Sequence, residues 1–274
     1  MPYIAELNVY YFEKSHSDSN APLLILLHGF TGSHQMFEHL IGDLGKNYHL
    51  IIPDLPGHGK SGLPENGEIN LDFLLNVIQK LVEVHPHKKI FLLGYSLGGR
   101  LALQFAVNKS HLLSGLILES TTFGILDEIE RQNRIQADQA LAKKIETDYK
   151  GFLNDWDKNP VFYSETIVSE VLTSRMKEIR SNQNPSGLSA MLKGFGTGVM
   201  DPCFDKLSEI SCEVLILTGE TDSKFTNIGM SIKQHVRKSQ HVIVPQCGHR
   251  IHLEDSDAYL RTINTFILNN YRTV

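Results

Sequence analysis

Short apolar runs, nearly continuous rather than alternating, recur along this chain of 274 residues. They occur at residues 23–27, 50–52, 90–93, 116–118, 214–217 and 242–244. Strands that are buried on both faces show this pattern, whereas strands with one solvated face alternate apolar and polar residues. Helical patterns separate the runs, so the sequence predicts an α/β fold with a mostly parallel central sheet flanked by helices. The segment 3–12 does alternate, and we expect it to form a hairpin at the edge of the sheet.

One of these runs leads directly into a motif that can carry chemistry. Residues 90–93 are followed by Gly94-Tyr95-Ser96-Leu97-Gly98 and then by a helical pattern that includes Arg100. In a strand–turn–helix unit, a Gly-x-Ser-x-Gly turn exposes the serine hydroxyl above the sheet, and the glycines remove side chains that would collide there. A surface turn that happens to contain serine is the alternative. The adjoining strand and helix favour a reactive Ser96.

The alternation of buried-strand and helical patterns is interrupted between residues 121 and 199. No buried strand pattern is found in this stretch, and its helical patterns, at 127–144, 165–180 and 186–192, are rich in charge. We therefore interpret residues 121–199 as a helical lid, inserted into a core that residues 1–120 and 200–274 form. A set of ordinary packing helices is the alternative interpretation.

Two late strands are followed by the partners that a reactive serine needs. A histidine must take the proton of the serine, and an acid must hold the histidine in the correct tautomer. Asp222 follows the run 214–217, and His249 follows the run 242–244, in the chain order Ser, Asp, His. Glu220 in the same turn and His252 in the next helix are the rivals. We favour Asp222 and His249 with Ser96 as the catalytic residues.

Backbone N–H groups are expected to stabilise an oxyanion beside this serine. Leu97 would supply one of them at the N-terminus of its helix, where the helix dipole helps. Phe30, in the loop after the first buried strand, is the candidate for the second. The turn 54–61 lacks the spacing of a phosphate-binding loop, so its glycines are assigned to backbone geometry.

Arg100 is unusual because it lies four residues after Ser96 on an otherwise apolar helix. A buried guanidinium is costly without an anionic partner. An internal salt bridge, for instance to Glu119, is one interpretation, and a clamp for a substrate carboxylate is the other. The lid adds further arginines, which together would suit a small polyanion: Arg131, Arg134, Arg175 and Arg180.

Composition narrows the class of protein further. A net charge of −5 with no basic stripe argues against a nucleic-acid partner, and no segment is apolar enough to suggest a membrane anchor. Three cysteines, an odd number without metal-ligand spacing, suggest a reducing compartment. We expect a cytoplasmic protein without metal or cofactor, either a monomer or a weak homo-oligomer.

Taken in order, these motifs resemble the α/β-hydrolase superfamily over almost the whole chain. Within it, the sequence from about Leu24 to Asp257 is similar to the 2-succinyl-6-hydroxy-2,4-cyclohexadiene-1-carboxylate (SHCHC) synthases of menaquinone biosynthesis, the MenH family. The similarity is carried by residues 94–100, Glu130-Arg131, Asp155-Trp156, 160–162, 179–182, 219–225 and Gly248-His249.

This resemblance implies a lyase that eliminates pyruvate from a tricarboxylate, with Ser96 as a general base rather than an acylated nucleophile. It also implies substrate contacts at Tyr95, Arg100, Trp156, Arg180 and a lid arginine. Arg131 and Arg134 both fit that last position, and we favour Arg134. A serine hydrolase of esters or carbon–carbon bonds that uses an acyl-enzyme, and a binding protein without activity, are the alternatives.

Overall fold

A central sheet organises the computed structural model, which describes residues 2–83 and 88–271. Its strands are β1 (Tyr3–Ile4), β2 (Val9–Lys14), β3 (Leu23–Leu27), β4 (His49–Pro53), β5 (Ile90–Tyr95), β6 (Gly115–Glu119), β7 (Glu213–Gly219) and β8 (Ser239–Val244). In these residues the strands form one sheet with the order β1-β2-β4-β3-β5-β6-β7-β8. The hairpin β1–β2 and the pair β2–β4 are antiparallel, and the other neighbouring strands are parallel. The predicted, mostly parallel sheet is therefore confirmed.

The continuous apolar runs reflect a core on each face of the sheet. Successive side chains of a strand point to opposite faces. In β3, accordingly, Leu23, Ile25 and Leu27 pack into one hydrophobic core, whereas Leu24 and Leu26 pack into the other. All five of these residues are fully buried.

Helices cover both faces of the sheet. Their bounds are α1 (Ile41–Leu44), α2 (Leu71–Glu83), α3 (Leu97–Lys109), α8 (Ser223–His235), α9 (Ile251–Glu254) and α10 (Ser256–Tyr271). Apolar residues of α2, α3 and α8 contribute to one core, and those of α1 and α10 to the other. Within residues 2–83 and 88–271, none of the helices is long and apolar enough to cross a membrane.

The segment between β6 and β7 contains the remaining helices. These are α4 (Glu128–Thr147), α5 (Tyr149–Trp156), α6 (Glu170–Ser181) and α7 (Pro185–Phe195), with a 3₁₀ turn at Pro160–Phe162. The helix expected from residue 165 begins only at Glu170, because Ser169 ends the preceding extended segment and caps α6 by accepting a hydrogen bond from the N–H of Leu172. The helices α4, α5 and α7 share a small hydrophobic core of their own: Ala142, Ile145, Phe152, Leu188 and Leu192.

Candidate active site

Ser96 lies at a sharp turn between β5 and α3, above the middle of the sheet. Its backbone has a φ of 51° and a ψ of −106°, a strained conformation for a residue with a side chain. A Cβ on Gly94 would overlap the carbonyl oxygen of Gly98, and one on Gly98 would overlap that of Leu27. Only glycine therefore permits the close packing of helix on strand that holds the serine in this turn.

The structure brings Ser96, His249 and Asp222 into one chain of hydrogen bonds. The Nε2 atom of His249 lies 3.1 Å from the Oγ atom of Ser96, and its Nδ1 atom lies 2.7 Å from an Asp222 carboxylate oxygen. His249 is 2% exposed, and the ring of Phe225 packs 4.5 Å from the imidazole, centre to centre. This arrangement lets the imidazole accept the serine proton while the carboxylate fixes its tautomer.

The two rival residues are occupied elsewhere. The carboxylate of Glu220 accepts a hydrogen bond of 2.9 Å from the backbone N–H of Gln246, in the loop after β8. His252 lies in α9, where its Nδ1 atom is 2.8 Å from the carboxylate of Glu119, and both side chains are fully buried. Glu119 is thus the partner of His252 and not of Arg100, so the example named for an internal salt bridge of Arg100 is wrong.

Both expected oxyanion donors border the same space as Ser96. Leu97 is the first residue of α3, and Phe30 follows Gly29 in the loop after β3. The ring of Tyr95 fills the position that a Cβ of Gly29 would occupy, which brings this loop close to the serine turn. Outside their own secondary structure, neither the N–H of Leu97 nor that of Phe30 donates to an acceptor in the described part of the chain. Both are available to a ligand.

A cavity of about 740 Å³ lies between the sheet and the helices of residues 121–199. Ser96, Asp222 and His249 line its floor from the sheet side. Residues of the segment 121–199 line it from the other side, among them Leu141, Trp156, Val161, Phe162 and Met176. A space of this size can enclose a ring with several substituents. No group of three metal-ligating side chains is placed to hold a metal ion in residues 2–83 and 88–271.

Arg100 contributes a buried positive charge to this cavity. The residue is 7% exposed, and its guanidinium donates to the carbonyl oxygen of Phe195 at 3.1 Å and to the hydroxyl of Thr197 at 2.9 Å. Both partners are neutral. Burial, with a smaller effect of the nearby Arg134, lowers the pKa of Arg100 to about 10, so the group remains charged at neutral pH. The nearby Asp138 carboxylate attracts this charge, but the guanidinium hydrogen-bonds only to neutral groups among the described residues, so an anion in the cavity could pair with it directly.

The four arginines of the segment predicted as a lid divide into two groups. Arg134 and Arg180 line the cavity, where they pair with Asp138 at 2.8 Å and Asp157 at 2.7 Å. The other two do not line it: Arg131 donates to Asp201 and Gly198, and Arg175 to Glu38 and Glu178. The expectation that Arg131 and Arg175 add to the charge above the site is therefore wrong, whereas Arg134, the favoured alternative, does face the cavity.

Other cavity residues were assigned by resemblance or were missed. Tyr95 and Trp156 line the cavity, and the indole N–H of Trp156 is buried without a partner among the described residues. Lys224 and Arg250 also line it but had no predicted role. Their positions, two residues after Asp222 and one after His249, are the signal that could have indicated them.

Comparisons with known proteins agree with this geometry. A family model described as the alpha/beta hydrolase fold matches residues 22–256, and the class of protein is therefore an α/β hydrolase. The solved structure of MenH from S. aureus is similar to this one with a TM-score of 0.92 and 33% sequence identity, over 96% of this chain and 99% of that chain.

Curated relatives narrow the class. A Bacillus subtilis (strain 168) protein provisionally named SHCHC synthase is 33% identical over 246 residues, which are 89% of each chain. An Escherichia coli SHCHC synthase is 28% identical over 245 residues, 89% of this chain and 92% of its own. The chain belongs to the SHCHC synthase, or MenH, family.

Proposed function

We propose that this protein eliminates pyruvate from 2-succinyl-5-enolpyruvyl-6-hydroxy-3-cyclohexene-1-carboxylate to give SHCHC, a step of menaquinone biosynthesis. The observation that carries the proposal is the buried guanidinium of Arg100, which shares a cavity with the hydrogen-bonded Ser96 and donates hydrogen bonds only to neutral groups among the described residues. The proposed substrate bears three carboxylates. Arg134 and Arg180, which line the same cavity, would bind the others.

The reaction would begin with removal of a ring proton. The Oγ atom of Ser96 takes this proton while its own proton passes to the Nε2 atom of His249, and Asp222 stabilises the imidazolium that results. The electron pair left on the ring is delocalised into the succinyl ketone. The N–H groups of Leu97 and Phe30 would donate to the oxygen of that ketone as negative charge builds on it.

Elimination then completes the reaction. The electron pair returns from the ketone to form the second ring double bond, and the carbon–oxygen bond to the enolpyruvyl group breaks. Pyruvate leaves as its enolate, which takes up the proton held by His249 and becomes the keto acid. The triad returns to its starting state, and no acyl-enzyme is formed. Trp156 and Tyr95 are the proposed contacts for the uncharged parts of the substrate.

The direct test is incubation of the purified protein with the enolpyruvyl substrate. The expected result is release of one pyruvate per conjugated diene formed, at a rate far above that of the spontaneous reaction. Pyruvate can be measured with a coupled dehydrogenase and the diene by its absorbance. A rate equal to that of the uncatalysed elimination would refute the proposal.

A serine hydrolase is the second candidate, because the serine, the histidine, the acid and two free N–H donors also suit acyl transfer. An activated aryl ester separates the two functions. Rapid turnover with a burst of one equivalent of phenol would favour the hydrolase, since a burst reports an acyl-enzyme. Labelling of Ser96 by a fluorophosphonate does not discriminate, because the serine is activated in both cases.

A further inference from the structure

Glu254 is a buried carboxylate close to the active site that the mechanism above does not use. It is the last residue of α9, and its side chain is completely buried. One carboxylate oxygen, Oε2, accepts from the backbone N–H of Gly248 and, at 2.8 Å, from the hydroxyl of Ser164. The other, Oε1, lies 3.3 Å from the backbone nitrogen of Arg250 and 3.6 Å from its Nε atom. Glu254 thus holds the residues on both sides of His249.

The contact with Ser164 connects Glu254 to the proposed lid. Residues 162–166, which we call the strap, run along the loop that carries His249. The hydroxyl of Thr166 donates to the carbonyl oxygen of Gln246 at 3.1 Å, and Arg250 donates to the carbonyl oxygen of Phe162 at 3.4 Å. A Cβ on Gly248 would overlap the carbonyl oxygen of Tyr163. The strap and the histidine loop are in direct backbone contact at this point.

The hydrogen bonds of Glu254 require a carboxylate in particular. The backbone N–H groups of Gly248 and Arg250 can only donate, and they donate to different oxygens of the Glu254 carboxylate. In a glutamine at this position, the amide nitrogen would meet one of these donors whichever way the amide was turned. One buried N–H group would then be left without an acceptor.

We propose that Glu254 is a positioning residue for the triad, and that it joins the strap of the lid to the loop that carries His249. The residue touches neither the substrate nor the reacting atoms. Its role is to keep the imidazole within hydrogen-bonding distance of Ser96 and Asp222 when the lid lies over the cavity. A displacement of about 1 Å at a catalytic group can reduce the rate about 100-fold.

The test measures the triad by two independent readouts. The first is the rate at which a fluorophosphonate labels Ser96, which depends on activation of the serine and not on the natural substrate. The second is pyruvate release, and this readout alone rests on the proposed function. If the wild-type protein is labelled but releases no pyruvate, the proposed function fails while the role of Glu254 can still be judged from the labelling rate.

Glu254→Gln is expected to lower the labelling rate and kcat by about 100-fold, with KM within about twofold of the wild-type value. Ser164→Ala removes a single donor from the strap and should lower both rates by about three- to tenfold without unfolding the protein. The matched control is Glu165→Gln, a change at an exposed glutamate next to Ser164, which should leave both rates unchanged. Thermal unfolding of each variant shows that it is folded at the assay temperature.

Two results would overturn the proposal. A folded Glu254→Gln protein that is labelled at the wild-type rate would exclude a positioning role. If the Gln variant does not fold, Ser164→Ala decides the matter, and labelling of that variant at the wild-type rate would refute the link between strap and histidine loop. A loss confined to KM would also contradict the proposal, because it would indicate an effect on substrate binding rather than on the triad.

Discussion

At the scale of single residues, the proposal of a tricarboxylate substrate depends most on Arg100. A guanidinium that is 7% exposed and hydrogen-bonded only to the neutral groups of Phe195 and Thr197 can still pair with a ligand anion, in addition to the attraction of the nearby Asp138 carboxylate. An ordinary ester hydrolase has no need of this charge. The proposed tricarboxylate does need it, because a carboxylate that loses part of its hydration on binding requires a fixed countercharge.

Replacement of this charge should therefore affect one substrate selectively. Arg100→Met keeps most of the side-chain volume and removes the charge, and we expect kcat/KM for the tricarboxylate to fall by about 100-fold, since loss of one partner of a buried charge pair costs roughly 2–5 kcal/mol. Steady-state kinetics of pyruvate release measures the change. Turnover of a neutral aryl ester should fall far less.

Arg131→Met is the matched control for this prediction. This variant makes the same substitution at Arg131, whose guanidinium binds Asp201 outside the cavity. Its kcat/KM should remain within about twofold of the wild-type value, because Arg131 does not line the cavity. Equal losses for Arg100→Met on the tricarboxylate and on the ester would contradict the clamp.

At the scale of elements, α7 connects the lid to the sheet and supports Arg100. Its first turn lies against the loop after β4, where a Cβ on Gly187 would overlap the carbonyl oxygen of Gly57. Gly57 itself has a φ of +75°, a backbone conformation that favours glycine. The carbonyl of Phe195, at the other end of α7, accepts the hydrogen bond of Arg100.

Gly187→Ala should therefore displace α7. We expect a loss of about 1–3 kcal/mol in the free energy of unfolding, which is typical of overpacking, together with a higher KM for the tricarboxylate, because Arg100 loses a fixed acceptor. Urea denaturation and steady-state kinetics measure these effects. Ser186→Ala, a change at the exposed neighbour, is the control. Equal stability of Gly187→Ala and the wild-type protein would show that the contact is not tight.

The elements also differ in how far the sequence could predict them. The buried strands were predictable because short, continuous apolar runs are typical of strands covered on both faces, and the Ser, Asp, His order followed from the strand ends. The sequence did not indicate which faces of the helices in residues 121–199 point toward the cavity. In α4 only Asp138, Ala142 and Ile145 are buried, so charge surrounds this helix and gives no sign that Arg134 faces the cavity while Arg131 turns away.

At the scale of the whole molecule, the pairings that escaped prediction join distant parts of the chain. Glu119 and His252 are 133 residues apart, and Ser164 and Glu254 are 90 apart. A carboxylate or an imidazole has no local pattern that names its partner. Such contacts can be recognised only in the folded structure, where the carboxyl end of β6, the strap and α9 lie close together.

The histidines beneath the oxyanion loop affect the stability of the whole fold. His28 and His58 are fully buried with ring centres 5.1 Å apart, and His58 packs against Phe30. Burial lowers the pKa of His28 to about 4 and that of His58 to about 3. In the unfolded chain both groups take up protons near pH 6.5. Between pH 6.5 and about 4, the unfolded state therefore binds more protons than the folded state.

Stability should consequently fall as the pH falls through this range, by up to about 1.4 kcal/mol per pH unit for each of the two histidines. His58→Asn places an amide nitrogen where the Nδ1 atom of His58 donates to the carbonyl of Pro56, and it removes one titrating group. Urea denaturation between pH 7 and pH 4.5 should then show a slope smaller by about 1.4 kcal/mol per pH unit. His111→Asn, at an exposed histidine, should keep the wild-type slope. An unchanged slope in His58→Asn would mean that His58 is not held neutral by the fold.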